Sequence, residues 1–336
     1  MDWASVALVV VLALGFTYTN GFHDAANAIA TSVSTRALTP RIALGLAAVM
    51  NLVGGFVGVR VAQTIGGDII SVPMGSAGVA VCAGALVGAI CWNMITWWRG
   101  MPSSSSHSLI GGLGGAALAA SWAGAGASVK WQSILDNVLV PMVLSPVLGL
   151  IGGFAVMTGI LWLFRRSAPG PTARGFRYAQ TVSAAAMAFG HGMQDAAKTA
   201  GVVALALVAS GHRAPGDLSI PWWAIASSAV VLSVGTYAGG WRIIRTLGSR
   251  IIDLTPPQGF AAEATAATVL YVATATGAPI STTQAISSAI VGVGATRSAK
   301  SVRWGVARSI AIAWVMTIPG AGLAAAAACL ILAPLL

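Results

Sequence analysis

Four consecutive hydroxyls and an imidazole, Ser103-Ser104-Ser105-Ser106-His107, stand between an apolar run ending at Trp98 and the glycine-rich run Leu109–Ala120. A segment inside lipid cannot carry so many hydrogen-bonding groups toward hydrocarbon, because each one left unpaired costs roughly a few kcal/mol. They must face protein, water or a ligand. The design of Gly100-Met101-Pro102-Ser103 and the hydroxyls behind it returns in the second half of the chain, at Gly277-Ala278-Pro279-Ile280-Ser281-Thr282-Thr283-Gln284. A polar cluster that appears twice in one apolar chain reads as two halves of a single site.

Composition says what surrounds that site. The 336 residues are 57% hydrophobic and 8% charged, against about 25% charged in a soluble domain. The chain is therefore an integral membrane protein. Its apolar runs far exceed the roughly ten alternating residues of a barrel strand, so they are helices. The formal charge of +10 does not indicate nucleic acid, since the basic residues lie in short loops. Cytoplasmic retention of positive loops explains them better. Cys82, Cys91 and Cys329 lack metal-ligand spacing and read as packing residues. The start of the chain lacks a basic n-region, and no cleavable signal peptide is expected.

Ten apolar segments can be marked, near 4–35, 42–62, 77–98, 103–121, 138–164, 178–209, 222–241, 258–276, 278–296 and 309–334. If each crosses once, the basic loops 165–177, 241–250 and 297–308 fall on one face with Arg36, Arg41 and Arg99. That face is the cytoplasm, and both termini lie outside it. Five segments per half is an odd number, so the second half enters from the opposite side. The expected fold is an all-α polytopic membrane protein of two inverted repeats, 1–164 and 178–336. A basic linker, 165–177, joins them, and the Ser/Thr-rich segments are broken or re-entrant at the centre.

A second internal match supports the duplication. Gly21-Phe22-His23-Asp24-Ala25-Ala26-Asn27 corresponds to Gly192-Met193-Gln194-Asp195-Ala196-Ala197-Lys198, in the same order relative to the serine stretches and at nearly the same offset. On a helix Asp24 shares a face with Asn20, Asn27 and Thr31, and Asp195 shares one with His191 and Lys198. Buried acids in membrane spans are costly and mark function by default. The competing reading for Asp195 is a structural ion pair with Lys198, and for Asp24 a helix cap. Ser104, Ser105, Ser106, Ser281, Thr282 and Thr283 suit an oxyanion, because hydroxyls and the free N–H groups of a helix start supply donors. An anion does not explain two carboxylates, which point to a cation or proton travelling with it. His107 donates to the anion or fixes the serine turn. Glu263 is the strongest of the remaining polar residues, and Trp92, Trp97, Trp98, Trp222 and Trp223 read as an interfacial belt.

At these stretches the chain resembles the PiT family of inorganic phosphate transporters, over almost its full length. Gly21–Asn27 with Thr31-Ser32 is similar to the family's first signature, and His191-Gly192-x-x-Asp195-x-x-Lys198-x-x-Gly201 to the second. Trp92-Asn93 through His107, Gln258-Gly259-Phe260-x-x-Glu263 and Gly277–Thr283 complete the resemblance. It implies phosphate binding by the Ser/Thr stretches with Asn27 and Lys198, and cation coupling through Asp24, Asp195 and His23. His107, His191, Gln194, Thr31 and Glu263 support them. The sodium-type pattern has Asn just before each signature aspartate, where this chain has His23 and Gln194. Histidine titrates near neutral pH, so the resemblance implies proton symport, with phosphate carried as a neutral complex with a divalent metal. Sodium coupling is the alternative. No organic cofactor is expected, and a homo-oligomer is left open. Rival readings are a sulfate carrier, a passive channel and an intramembrane serine hydrolase. The last lacks a nucleophile elbow Gly-x-Ser-x-Gly.

Overall fold

Inside lipid a backbone can satisfy its N–H and C=O groups only within itself, so the apolar runs fold as helices. The computed structural model describes residues 3–336. Helices α1 Trp3–Ser34, α2 Pro40–Gly55, α3 Val59–Gly67, α4 Ser76–Trp98 and α5 Ser105–Trp122 come first. A short α6, Trp131–Ile134, runs through a π-helical turn into α7, Val140–Leu163. Then follow α8 Pro169–Ala209, α9 Trp222–Ala238, α10 Trp241–Arg245 with a π-helical turn to Arg250, α11 Pro256–Thr276, α12 Thr282–Ala295 and α13 Trp304–Leu332. The strands β1 Ile70–Ser71 and β2 Ser128–Val129 pair antiparallel, Ile70 opposite Val129.

Among the described residues, four helical stretches are long and apolar enough to cross a membrane: α1, α4, α6 with α7, and α13 with the turn after it. Two of the ten expected segments are not single helices. Segment 42–62 breaks after Gly55, with α3 bent 69° from α2, and segment 222–241 breaks after Ala238, with α10 bent 61° from α9. The breaks fall where the backbone must approach a neighbour. Gly58 lies against the Met193 carbonyl of α8 and Gly240 against the Phe22 carbonyl of α1, where no side chain fits. α8 begins at Pro169, a residue suited to a first helical turn, ahead of the expected start near 178, so only 165–168 of the expected linker stretch is non-helical.

α5 and α12 are half-helices. Each starts behind an extended stretch in the protein interior, and the 14 residues of α12 span about 21 Å, short of a hydrocarbon core of about 30 Å. Packing pairs the two halves of the chain. α13 lies on α4 and α5, while α7 lies on α11 and α12; α1 crosses α9, while α8 crosses α2. The short helices seat alike: a Cβ on Gly66 would come within 2.9 Å of the Gly201 carbonyl oxygen of α8, and one on Gly248 within 2.7 Å of that of Ala30 in α1.

The outer faces of α7 and α13 expose Val143, Leu144, Ile151, Ile312, Val315 and Leu323, as lipid-facing helices do. Trp98 and Trp222 are exposed near helix ends. Trp92 and Trp97 depart from the expected belt. The Trp92 indole donates to Thr317 Oγ1 at 3.1 Å, and Trp97 packs edge-on against Phe22.

Candidate functional site

The two serine stretches cap their helices in the same way. Ser104 Oγ accepts from the His107 backbone N–H at 3.2 Å, and Ser281 Oγ accepts from that of Gln284 at 3.2 Å. These caps start the helices at Ser105 and Thr282, shortly after Pro102 and Pro279. Both N-termini end in one place. Ser106 Oγ donates to the Ile280 carbonyl at 3.2 Å, and Asn27 Nδ2 donates to Thr282 Oγ1 and Thr283 Oγ1 at 3.1 and 2.9 Å. Each N-terminus carries about half a positive charge, so anionic groups belong beside them.

Those groups come from the middles of α1 and α8. Asp24 Oδ2 accepts from Ser105 Oγ at 2.6 Å, and Asp195 Oδ1 accepts from Lys198 Nζ at 2.7 Å. Lys198 spends its other protons on Ser106 Oγ at 2.5 Å and the Ile280 carbonyl at 3.2 Å. The Asp195–Lys198 ion pair that competed with a functional reading is thus formed, and in this conformation the ammonium has no donor left for a ligand. Asn20 Nδ2 donates to Asp195 Oδ2 at 3.1 Å, which ties α1 to α8.

The histidines fix where protons sit. His23 Nδ1 lies 2.7 Å from Asp24 Oδ1; both atoms are acceptors when bare, so a proton lies between them. His23 Nε2 reaches Thr96 Oγ1 at 3.0 Å. The counterpart Gln194 reaches Thr274 Oγ1 at 3.0 Å and the Ala278 carbonyl at 3.2 Å. His191 Nδ1 faces Asn51 Oδ1 at 3.1 Å, and its Nε2 lies 2.9 Å from Asp195 Oδ2 and 3.9 Å from Asp24 Oδ2. Two aspartates against one lysine leave one negative charge, which a proton on a histidine or a bound cation cancels. Asp24, His191 and Asp195 each offer a ligand atom, all within 4.8 Å of one another. An imidazole nitrogen with two carboxylate oxygens suits a divalent transition metal. Asp24, Asp195, Lys198, His23, His191, Asn27 and the hydroxyls of both half-helix starts are 0–3% exposed, so the centre is occluded.

Two predicted residues stand apart. His107 is buried, yet neither ring nitrogen has a partner, so it neither fixes the turn nor reaches the carboxylates through its ring. Glu263 is not interfacial but fully buried on α11, in a cage of its own. Thr31 and Ser183 hydroxyls donate to it, Ser32 Oγ donates at 2.5 Å, and Gln180 Nε2 lies at 3.5 Å. Among the described residues no basic side chain lies within 4.0 Å of it.

The sequence reading missed a third internal match. Arg60-x-x-x-Thr64-Ile65-Gly66 on α3 corresponds to Arg242-x-x-x-Thr246-Leu247-Gly248, on α10 and the π-helical turn that continues it, in the other half of the chain. Arg60 donates to the Ala275 carbonyl at 2.9 Å and Thr64 to that of Gly277 at 3.0 Å. Arg242 donates to the Trp98 carbonyl, and Thr246 to that of Gly100 at 2.9 Å. Each short helix therefore clamps the strap before one half-helix, at a glycine whose φ is +64° at Gly100 and +77° at Gly277. The Arg-x-x-x-Thr spacing was available in the sequence, but its meaning depends on partners in the opposite half of the chain.

Helices crossing a membrane around an occluded polar centre, approached by two half-helices, define a polytopic membrane transporter. The sequence pattern of the phosphate transporter family matches residues 20–325, and the chain belongs to that family. Probable low-affinity inorganic phosphate transporters of Mycobacterium tuberculosis and Rhizobium meliloti are 45% and 44% identical. The first alignment covers 95% of this chain and 75% of its relative, the second 95% and 93%. A solved structure titled "The sodium-dependent phosphate transporter" is 27% identical and superposes with a TM-score of 0.89, over 99% of this chain and 100% of that one. The relatives are named for transport, and this chain is a transporter rather than an enzyme.

Proposed function

We propose that the chain imports inorganic phosphate by cation symport, with the proton shared by His23 and Asp24 as the coupling charge. One observation carries this reading: the N-termini of α5 and α12 converge on Asp24, and Lys198 joins them to Asp195. Phosphate replaces the internal acceptors of Ser105, Ser106 and Thr283, and the Thr282 hydroxyl and Asn27 supply further donors. Lys198 joins it only after leaving Asp195, which links anion arrival to the charge state of the acid. The Asp24–His191–Asp195 set gives a divalent metal ligands beside the anion, so the cargo is a metal–phosphate complex. Two inverted repeats, 1–164 and 178–336, provide the frame, and the matched clamps and helix crossings support that division. The arginine-rich face is cytoplasmic, both termini lie opposite, and α3 and α10 are the gates of alternating access.

Sodium is a second reading, favoured by the Glu263 cage. Its hydroxyl, amide and carboxylate oxygens are the hard donors a small cation wants, and among the described residues no cationic side chain lies within 4.0 Å of the acid. Radiolabelled phosphate uptake into proteoliposomes, driven separately by a pH gradient and a sodium gradient, tests both. Accumulation under the pH gradient, with sulfate a poor competitor, is expected. Accumulation with sodium alone overturns proton coupling, and strong competition by sulfate overturns the substrate.

A further inference from the structure

Beside the α10 clamp lies a cavity of about 330 Å³ lined by Trp98, Arg99, Trp241, Arg242, Arg245 and Arg250. Among the described residues, none of its four arginines lies within 4.0 Å of a carboxylate; the nearby Asp253 is taken by Arg303 at 3.0 Å. Arg242 spends one nitrogen on the Trp98 carbonyl and lies over the Trp97 ring. Four guanidinium groups held around one hollow repel each other unless an anion joins them.

The fold supplies its own comparison. The cavity at the α3 clamp, about 640 Å³, is lined by Arg60, Asp68 and Asp217 together with Gln63, Thr64 and Gly277. Hydrogen bonds from the Ser219 hydroxyl and backbone hold the Asp217 carboxyl below the usual carboxylate range, so it stays ionised. The two clamps have the same hydrogen bonds and different linings, one arginine with two acids, Asp217 also lying 4.0 Å from Arg213, against four arginines with no acid. The charge difference is therefore not a requirement of the clamp itself.

We infer that the arginine cavity binds a phosphate-bearing anion, which bridges α10 to the strap after α4. Guanidinium forks match phosphate oxygens in pairs. Exposed Trp98 and Trp241 put the cavity at the level of lipid headgroups, where basic pockets take anionic headgroups. An anionic phospholipid and free inorganic phosphate share the recognising chemistry. A bound anion ties Arg245 and Arg250 to Arg99 and so holds the α10 clamp shut.

The test is thermal unfolding of the purified full-length protein in neutral detergent. One arm titrates dioctanoyl-phosphatidylglycerol and the other inorganic phosphate, the latter also in a Ser105→Ala/Thr282→Val background that removes donors of the central phosphate site. Saturable stabilisation is expected, with a midpoint raised about tenfold or more in R245Q/R250Q, the loss of about one charged hydrogen bond. R245K/R250K, which keeps charge but loses the fork, should fall between. A response in the phospholipid arm alone assigns the site to a headgroup; one in the phosphate arm that survives Ser105→Ala/Thr282→Val assigns it to free phosphate. No stabilisation in either arm, or midpoints within twofold of wild type in R245Q/R250Q, overturns the inference. The assay reads binding and not uptake, so a failed transport assignment leaves it standing.

Discussion

Replacing Lys198 with Met should destabilise the protein far more than replacing it together with Asp195. The Lys198 ammonium is about 1% exposed and gives its protons to Asp195, Ser106 and the Ile280 carbonyl. Removing one partner of a buried pair strands the other, at about 3–5 kcal/mol. Asp195 keeps only Asn20 and His191 as partners. In D195N/K198M no charge is stranded, so at least half of the loss should return, a coupling of about 1.5 kcal/mol or more. Thermal unfolding of the four members of the cycle in detergent measures the coupling. Additive losses in the double variant would refute the pairing argument. So would a K198M protein within about 0.5 kcal/mol of wild type, the range of ordinary surface substitutions.

His23→Asn removes the partner that shares a proton with Asp24, so pH-driven uptake should fall at least about tenfold, one charged hydrogen bond's worth; unchanged drive would mean another group carries the proton. Glu263→Gln sets an amide N–H against hydroxyl donors that now point at a carboxylate, costing about 1–3 kcal/mol. Loss of stability with unaltered sodium dependence of uptake would count against a sodium site there. Thr246→Val should open the arginine-side strap, raising labelling of Ser103→Cys by an impermeant thiol reagent from that side in a Cys91→Ser background. Thr64→Val should leave that labelling unchanged, and equal effects of the two would refute separate clamps. Val in place of Gly66 should cost about 1–3 kcal/mol by overpacking α3 against the Gly201 backbone, read as a lower unfolding temperature.

Much of the architecture was legible because lipid leaves the chain few choices. Apolar runs long enough to cross had to become helices, and polar residues inside them had to turn inward. That reasoning alone located α1, α4 and α13 to within a few residues at most ends, and brought Asp24, Asp195 and both serine stretches together. Periodicity could not foresee the bends after α2 and α9, since they arise where Gly58 and Gly240 meet carbonyls of distant helices. The sequence by itself determined that this is a membrane transporter with a duplicated polar centre. Only the tertiary structure decided that Lys198 neutralises Asp195, that Glu263 has a cage of its own, and that Arg60 and Arg242 clamp opposite straps. Apart from the Lys198–Asp195 pair, those outcomes rest on hydrogen-bond partners far away along the chain. A side chain's identity fixes what it can donate or accept, and only the fold fixes which partner stands within reach.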